Sequence, residues 1–150
     1  MNFKREKAHD VIPEMLPLFE KHYTEIAHFK DIPLDPDLDL YRKMEDLNIL
    51  RIYTARNDEG GLVGYAVYFL KHNPHYRSSF QACQDILFVD PAARGVGAKF
   101  ILWCDKELKQ EGVQLVTQHI KVATPHTIEL FKRLGYEPID VILAKRLDGA

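Results

Sequence analysis

The feature that most constrains the fold is a change of hydrophobic period near residue 49. Upstream, Val11, Met15, Leu18, Phe19, His22, Ile26 and Phe29 recur at steps of three and four, the spacing of one helix face running to about residue 28. Downstream, Ile49-Leu-Arg-Ile-Tyr-Thr-Ala55 and Leu62-Val-Gly-Tyr-Ala-Val-Tyr-Phe-Leu70 read as strands, and Asn57-Asp-Glu-Gly-Gly61 between them is a hairpin signal. The pattern then predicts a strand over 80–89, an amphipathic helix over 95–111, a strand over 115–122, a helix over 125–134 and a last strand over 139–147. In the first helix Asp10 is placed to cap and Pro13 to sit in the first turn, whereas Pro17 removes an internal hydrogen bond and predicts a kink or a later start. Asp31 to Asp39 holds two prolines and four aspartates, an acidic loop before a short helix over 40–47. The order α, α, β, β, β, α, β, α, β describes an α/β chain with a mixed, mostly antiparallel sheet and helices on its faces, in one domain over 1–150.

Composition narrows the function classes. A formal net charge of −2 removes the basic balance that binding to phosphate backbones favours, so no nucleic-acid partner is expected. The longest apolar run, 62–70, is far short of the roughly 20 residues of a membrane span. The N-terminus, charged at Lys4, Arg5, Glu6 and Lys7, has no apolar stretch behind it. Cys83 and Cys104 stand alone without a Cys-x-x-Cys pattern, which argues against a disulfide framework or a zinc site. A reducing cytoplasm and no membrane are therefore expected. His72-x-x-His75 has metal-pair spacing but no acidic third ligand nearby, so no metal is expected.

The segment from Asp85 to Trp103 runs from a buried strand through a glycine turn into a helix. Gly95 and Gly97 lack Cβ atoms, so backbone N–H groups of the turn and of Val96, Ala98 and Lys99 can approach a ligand, and the helix dipole favours an anion there. Arg94 and Lys99 add positive charge on either side. A phosphate or pyrophosphate is the natural guest, although a tight strand-to-helix connection without a ligand reads the same way. The segment is not a P-loop, because Lys99 lies between Ala98 and Phe100. Nor is it a dinucleotide fingerprint, because Phe100 stands where a third small residue is needed.

These residues resemble the GNAT superfamily of N-acetyltransferases, of the small bacterial or phage kind, in which a strand ending in Val-x-Pro leads into an Arg/Gln-x-x-Gly-x-Gly/Ala turn. Val89-Asp90-Pro91 and Arg94-Gly95-Val96-Gly97-Ala98 follow that layout. Leu130-Phe131-Lys132-Arg133-Leu134-Gly135-Tyr136 is similar to the family's second signature, a helix ending in Leu-Gly-aromatic. The resemblance covers about 48–147. It implies a sheet splayed between two parallel strands, with acetyl-CoA as donor. The pyrophosphate would rest on the glycine turn and the pantetheine arm beside the Phe88 and Val89 backbone. Two positions depart from the pattern. Ala92 stands where the family often has Arg or Gln, and Phe131 stands where a tyrosine often protonates the departing thiolate.

Acetyl transfer to an amine needs a proton acceptor, because an alkylammonium with a pKa near 10.4 is mostly protonated at neutral pH. His119 lies where several similar enzymes place a glutamate base, and an imidazole can take that proton directly or through water. A histidine packed at a sheet edge is the alternative. Asp85 lies where some polyamine-acetylating relatives carry an acidic residue facing the acceptor, although a strand aspartate can instead bond to a nearby loop. Gln84 is expected on the opposite face. Tyr136 and His126 are the remaining proton donors near the second motif, Tyr136 also reading as a core aromatic. Cys104 reads as core. The four loop aspartates either form a negative rim that attracts cations or cap a solvated turn.

The expectation is an acetyl-CoA-dependent N-acetyltransferase working by direct attack of an amine, carried by a small molecule or a protein. The rivals are a CoA-binding module without turnover and an interaction protein that mimics a host surface. An exposed strand edge at 139–147 would permit pairing with a second copy.

Overall fold

The hairpin at 57–61 organises the sheet. A computed structural model, describing residues 1–93 and 95–149, places β2 (Leu50–Arg56) antiparallel to β3 (Leu62–His72), and β3 antiparallel to β4 (Phe80–Val89). β4 then pairs in parallel with β5 (Leu115–Thr117). The sheet is completed by β1 (Asn2–Glu6), antiparallel to β2, and the strand order is β1-β2-β3-β4-β5. Helix α1 (Ala8–Ile26) and α2 (Leu38–Asp46) cover one face, and α3 (Val96–Gln110) covers the other. α4 (Pro125–Arg133) follows β5, and the Tyr136 just beyond it bonds to α3.

Every residue of β2 is buried because both faces of the sheet are covered. Tyr53 and Ala55 point to α3, where they meet Tyr68, Phe100, Cys104 and Leu108. Leu50 and Ile52 point to α1, where they meet Val11, Met15 and Phe19. Burying each such large side chain contributes about 1.5–3 kcal/mol, so these two layers supply most of the driving force. Charged groups fasten the ends. Arg56 of β2 binds Glu6 of β1 and Glu14 of α1, and Arg51 binds Glu111 at the end of α3.

Several expectations need correction. β1 was not anticipated, because only Phe3 of its side chains is apolar; Phe3 packs on Phe100 and Trp103. α1 starts at Ala8, so Asp10 is not its cap and Pro13 is not in its first turn. The Ala8 N–H is instead taken by the Glu45 carboxylate of α2 at 3.0 Å. The helix runs through both prolines, which lie on its solvent face, where water can serve the carbonyls they leave unbonded. β5 ends at Thr117 rather than near residue 122, and residues 139–147 form no strand. The absent ladder beyond Thr117 explains both, since a strand needs a paired edge. The apolar side chains of this tail stay in solvent, Leu143 at 90% exposure, and Arg146 ties its end to Asp31 and Phe29. The strand edge expected to pair with a second copy is thus not formed.

Candidate functional site

Two irregularities in β4 build the site. In the β3–β4 register Val67 faces Ile86 and Tyr68 faces Gln84, so Asp85 is an extra residue without a cross-strand partner, a bulge. On the other side of β4 the parallel ladder stops at Cys83 opposite Thr117, while residues 84–89 continue alone. The gap is held at its apex by a side chain: Gln84 Oε1 accepts the His119 N–H at 2.7 Å in place of a strand bond. The Phe88–Val89 stretch therefore borders an open wedge, with the Val89 N–H and carbonyl turned to it and those of Phe88 turned to β3. Gly64, opposite Val89, lets the strands approach there, since a Cβ would fall 2.9 Å from the Phe88 carbonyl oxygen.

Beyond the wedge the chain turns into α3. Asp90 shapes the turn by accepting the Ala92 N–H at 2.9 Å and binding Lys21 of α1 at 3.1 Å. That backbone bond, with Lys21 second, holds the Asp90 carboxyl below its ordinary pKa. Gly95 is the N-cap of α3 with φ 76°, a left-handed conformation that favours glycine. A Cβ built on Gly95 or Gly97 would meet nothing within 4 Å, so the helix start is unobstructed on that side. Val96 is buried into the core, Lys99 is exposed and Ala98 is half-buried. Arg94 lies outside the described residues. The first-turn N–H groups of a helix have no intrahelical acceptor and sit at the positive end of its dipole, so the place fits a diphosphate.

His119 and Asp85 are brought to the same side of β4, that of α1 and α2. His119 is exposed, and its Nε2 lies 3.6 Å from Cys83 Sγ, on the face where Cys83 pairs with Phe69. Asp85 receives the Tyr41 hydroxyl of α2 at 2.6 Å. Gln84 lies toward the α3 side opposite Tyr68, as expected. Tyr136 is not with this group. Its hydroxyl donates to Asp105 of α3 at 2.5 Å and accepts from Gln118, which also bonds Tyr68. Burial first, and then Asp105, raise the Tyr136 pKa, while burial raises that of Asp105 against the Tyr136 bond. Phe131 is buried edge-on against Tyr136, and His126 is exposed. Cys104 is buried, with a thiol pKa raised by burial.

His22, Tyr65 and Tyr41 are residues the sequence reading did not assign to the site. His22 is 7% exposed and stacks near Phe88, centroids 5.1 Å apart, with Tyr65 beside it. Among the described residues, neither His22 Nδ1 nor the Tyr65 hydroxyl has a partner. Burial, and then the Lys121 charge, lower the His22 pKa to about 4, so it is neutral at pH 7. The signal for Tyr41 was its place three residues after Leu38 and three before Met44, all on the inner face of α2. Of the loop aspartates, Asp37 caps α2, in line with the capping alternative, while Asp39 pairs with Arg42 and Asp31 with Arg146. A separate recess of about 640 Å³ lies at the β1 end, but Arg56, Glu6 and Glu14 in its lining already satisfy one another.

Among the described residues, no group of three His, Cys, Asp or Glu could hold a metal, and no helix is long and apolar enough to cross a membrane. The sequence matches the model of the acetyltransferase (GNAT) family over residues 12–136. No curated protein matches it. Among solved structures it is similar to an aminoglycoside acetyltransferase from an uncultured soil metagenomic sample, in complex with trehalose. That likeness has 18% identity and TM-score 0.76 and covers 98% of this chain and 96% of that one. It is also similar to a ribosomal-protein-alanine N-acetyltransferase from Brucella melitensis biovar Abortus 2308, at 15% identity and TM-score 0.72, covering 98% and 100%. A third, an aminoglycoside N-acetyltransferase in complex with CoA, has 15% identity and TM-score 0.70, covering 97% and 98%. At these identities the likeness is one of fold.

Proposed function

The chain belongs to the GNAT acetyltransferase family, and from that premise we propose that it transfers an acetyl group from acetyl-CoA to a primary amine by direct attack. The observation that carries the reading is the wedge: the β4–β5 ladder stops at Cys83 and Thr117 while the start of α3 lies open at Gly95 and Gly97. A diphosphate fits the N–H groups of that helix start, with Arg94 and Lys99 adding charge. A pantetheine arm fits the free edge beside Phe88 and Val89, where the Val89 N–H, which β3 does not take, can hold the thioester carbonyl oxygen as charge develops.

The remaining chemistry falls to side chains beside the wedge. Asp85 holds the acceptor's ammonium, and His119 takes the proton that must leave before the nitrogen can attack. Tyr136, with its proton engaged by Asp105, is a poor candidate to protonate the thiolate directly, and water can serve instead. A second reading rests on the Cys83–His119 contact of 3.6 Å, a thiol–imidazole pair that could carry the acetyl group covalently. The acceptor is an amine on a small molecule or a protein.

The test mixes the protein with acetyl-CoA and a panel of amines while free thiol is monitored. Direct transfer gives thiol release that depends on the amine and initial-rate plots that intersect. Parallel plots favour the Cys83 route. CoA binding without thiol release favours the module without turnover.

A further inference from the structure

None of the side chains of α2 is fully buried, yet both ends of the helix are fastened. Asp37 caps its start, and Glu45 near its end accepts the Ala8 N–H. Between these anchors Tyr41 packs against the apolar cluster that contains Ile12, Met15, Phe19, Ile52 and Val67, where a phenylalanine would pack as well. The hydroxyl leaves this apolar setting to donate to Asp85 Oδ2 at 2.6 Å. Asp85 is the bulged residue of β4, exposed and without a cross-strand neighbour to fix its rotamer. The Tyr41 bond occupies one carboxylate oxygen, and the other has no partner among the described residues. Burial, and then Asp85, raise the Tyr41 pKa, so the phenol remains a donor throughout the neutral range. A carboxylate held by one oxygen beside an open wedge suits an ammonium, which can approach the other oxygen without first ordering the side chain.

We propose that Tyr41 is a positioning residue that presets Asp85 for a cationic alkylamine acceptor, a role that rests on the acetyl-transfer reading above. The bond lowers the cost of fixing Asp85 when the acceptor binds, so its effect falls on acceptor affinity more than on turnover. An amine that is neutral at pH 7, such as an aniline, gains nothing from it.

The test measures kcat and KM for putrescine and for aniline in the wild type, Tyr41→Phe, Asp85→Asn and the double variant, with CoA affinity measured in parallel. Tyr41→Phe is expected to raise KM for putrescine roughly tenfold, about one hydrogen bond to a charged group, with kcat within twofold and CoA affinity unchanged. In the Asp85→Asn background the same change should add less than twofold, because the group it positions is gone. Aniline should be a poorer wild-type acceptor by at least tenfold in kcat/KM. An unchanged putrescine KM in Tyr41→Phe, full additivity in the double variant, or aniline matching putrescine overturns the positioning role while leaving acetyl transfer intact. If the wild type binds CoA but releases no thiol with either amine, the acetyl-transfer reading fails and takes this proposal with it.

Discussion

The slab formed by β2, β3 and β4 and the stretch beyond Thr117 follow opposite rules. In the slab, alternate residues go to two separate cores, and β2 is buried along its whole length. Beyond Thr117 the sequence alternates just as well, yet β5 has ended and residues 139–147 stand in solvent. The difference shows that alternation specifies which face a side chain takes, while pairing decides whether a strand exists. The proposed function depends on the second region, because the coenzyme arm that it calls for needs an interrupted ladder.

This contrast can be broken by mutation. Phe100→Ala, in the slab's α3-facing core, should cost about 3–5 kcal/mol in urea unfolding. His119→Ala, at the edge of the gap, should lower kcat by roughly 10² or more with CoA affinity and stability retained. A parallel loss of CoA affinity would make His119 structural. A pH effect belongs to the slab's other face. The folded pKa of His22, about 4, lies below its ordinary value of 6.5, so between those values the unfolded chain binds the proton and the folded chain does not. Stability is therefore full above about pH 6.5 and falls as pH drops toward 4, by on the order of 2 kcal/mol after allowing for partial solvent access. His22→Leu should flatten that limb, and an unchanged slope would remove His22 as its source. Smallest of all, Leu143→Ala should change stability by less than about 0.5 kcal/mol. A cost above about 1.5 kcal/mol would mean that the tail packs against the protein in solution.

The legible parts of the sequence follow the same division. β2, β3, β4 and α3 lie within a residue or two of their expected limits, because burial on covered faces writes a period into the sequence. β1 was hidden by its charged residues, which suit an edge strand. The last strand was overread because Ile139, Val141 and Leu143 carry the pattern without a partner. At the site, the glycine turn was legible from two residues without Cβ atoms. The bulge at Asp85 was not, since an extra residue in a strand leaves no mark in its own composition, and nor was the Tyr41 bond, which joins α2 to β4 across 44 positions of sequence. Tyr136 was legible as an aromatic after Gly135, but its partner Asp105 depends on how the chain beyond α4 lies on α3.

The central claim is that CoA lies between the start of α3 and the free edge of β4. A titration of CoA into isotope-labelled protein, followed by amide chemical shifts, tests it most directly. The largest changes should fall on Gly95, Val96, Gly97, Ala98 and Lys99 and on Phe88 and Val89, with Asn2 to Glu6 unaffected. Shifts absent from both segments at saturating CoA, or gathered instead around Arg56 and Glu14, would contradict it.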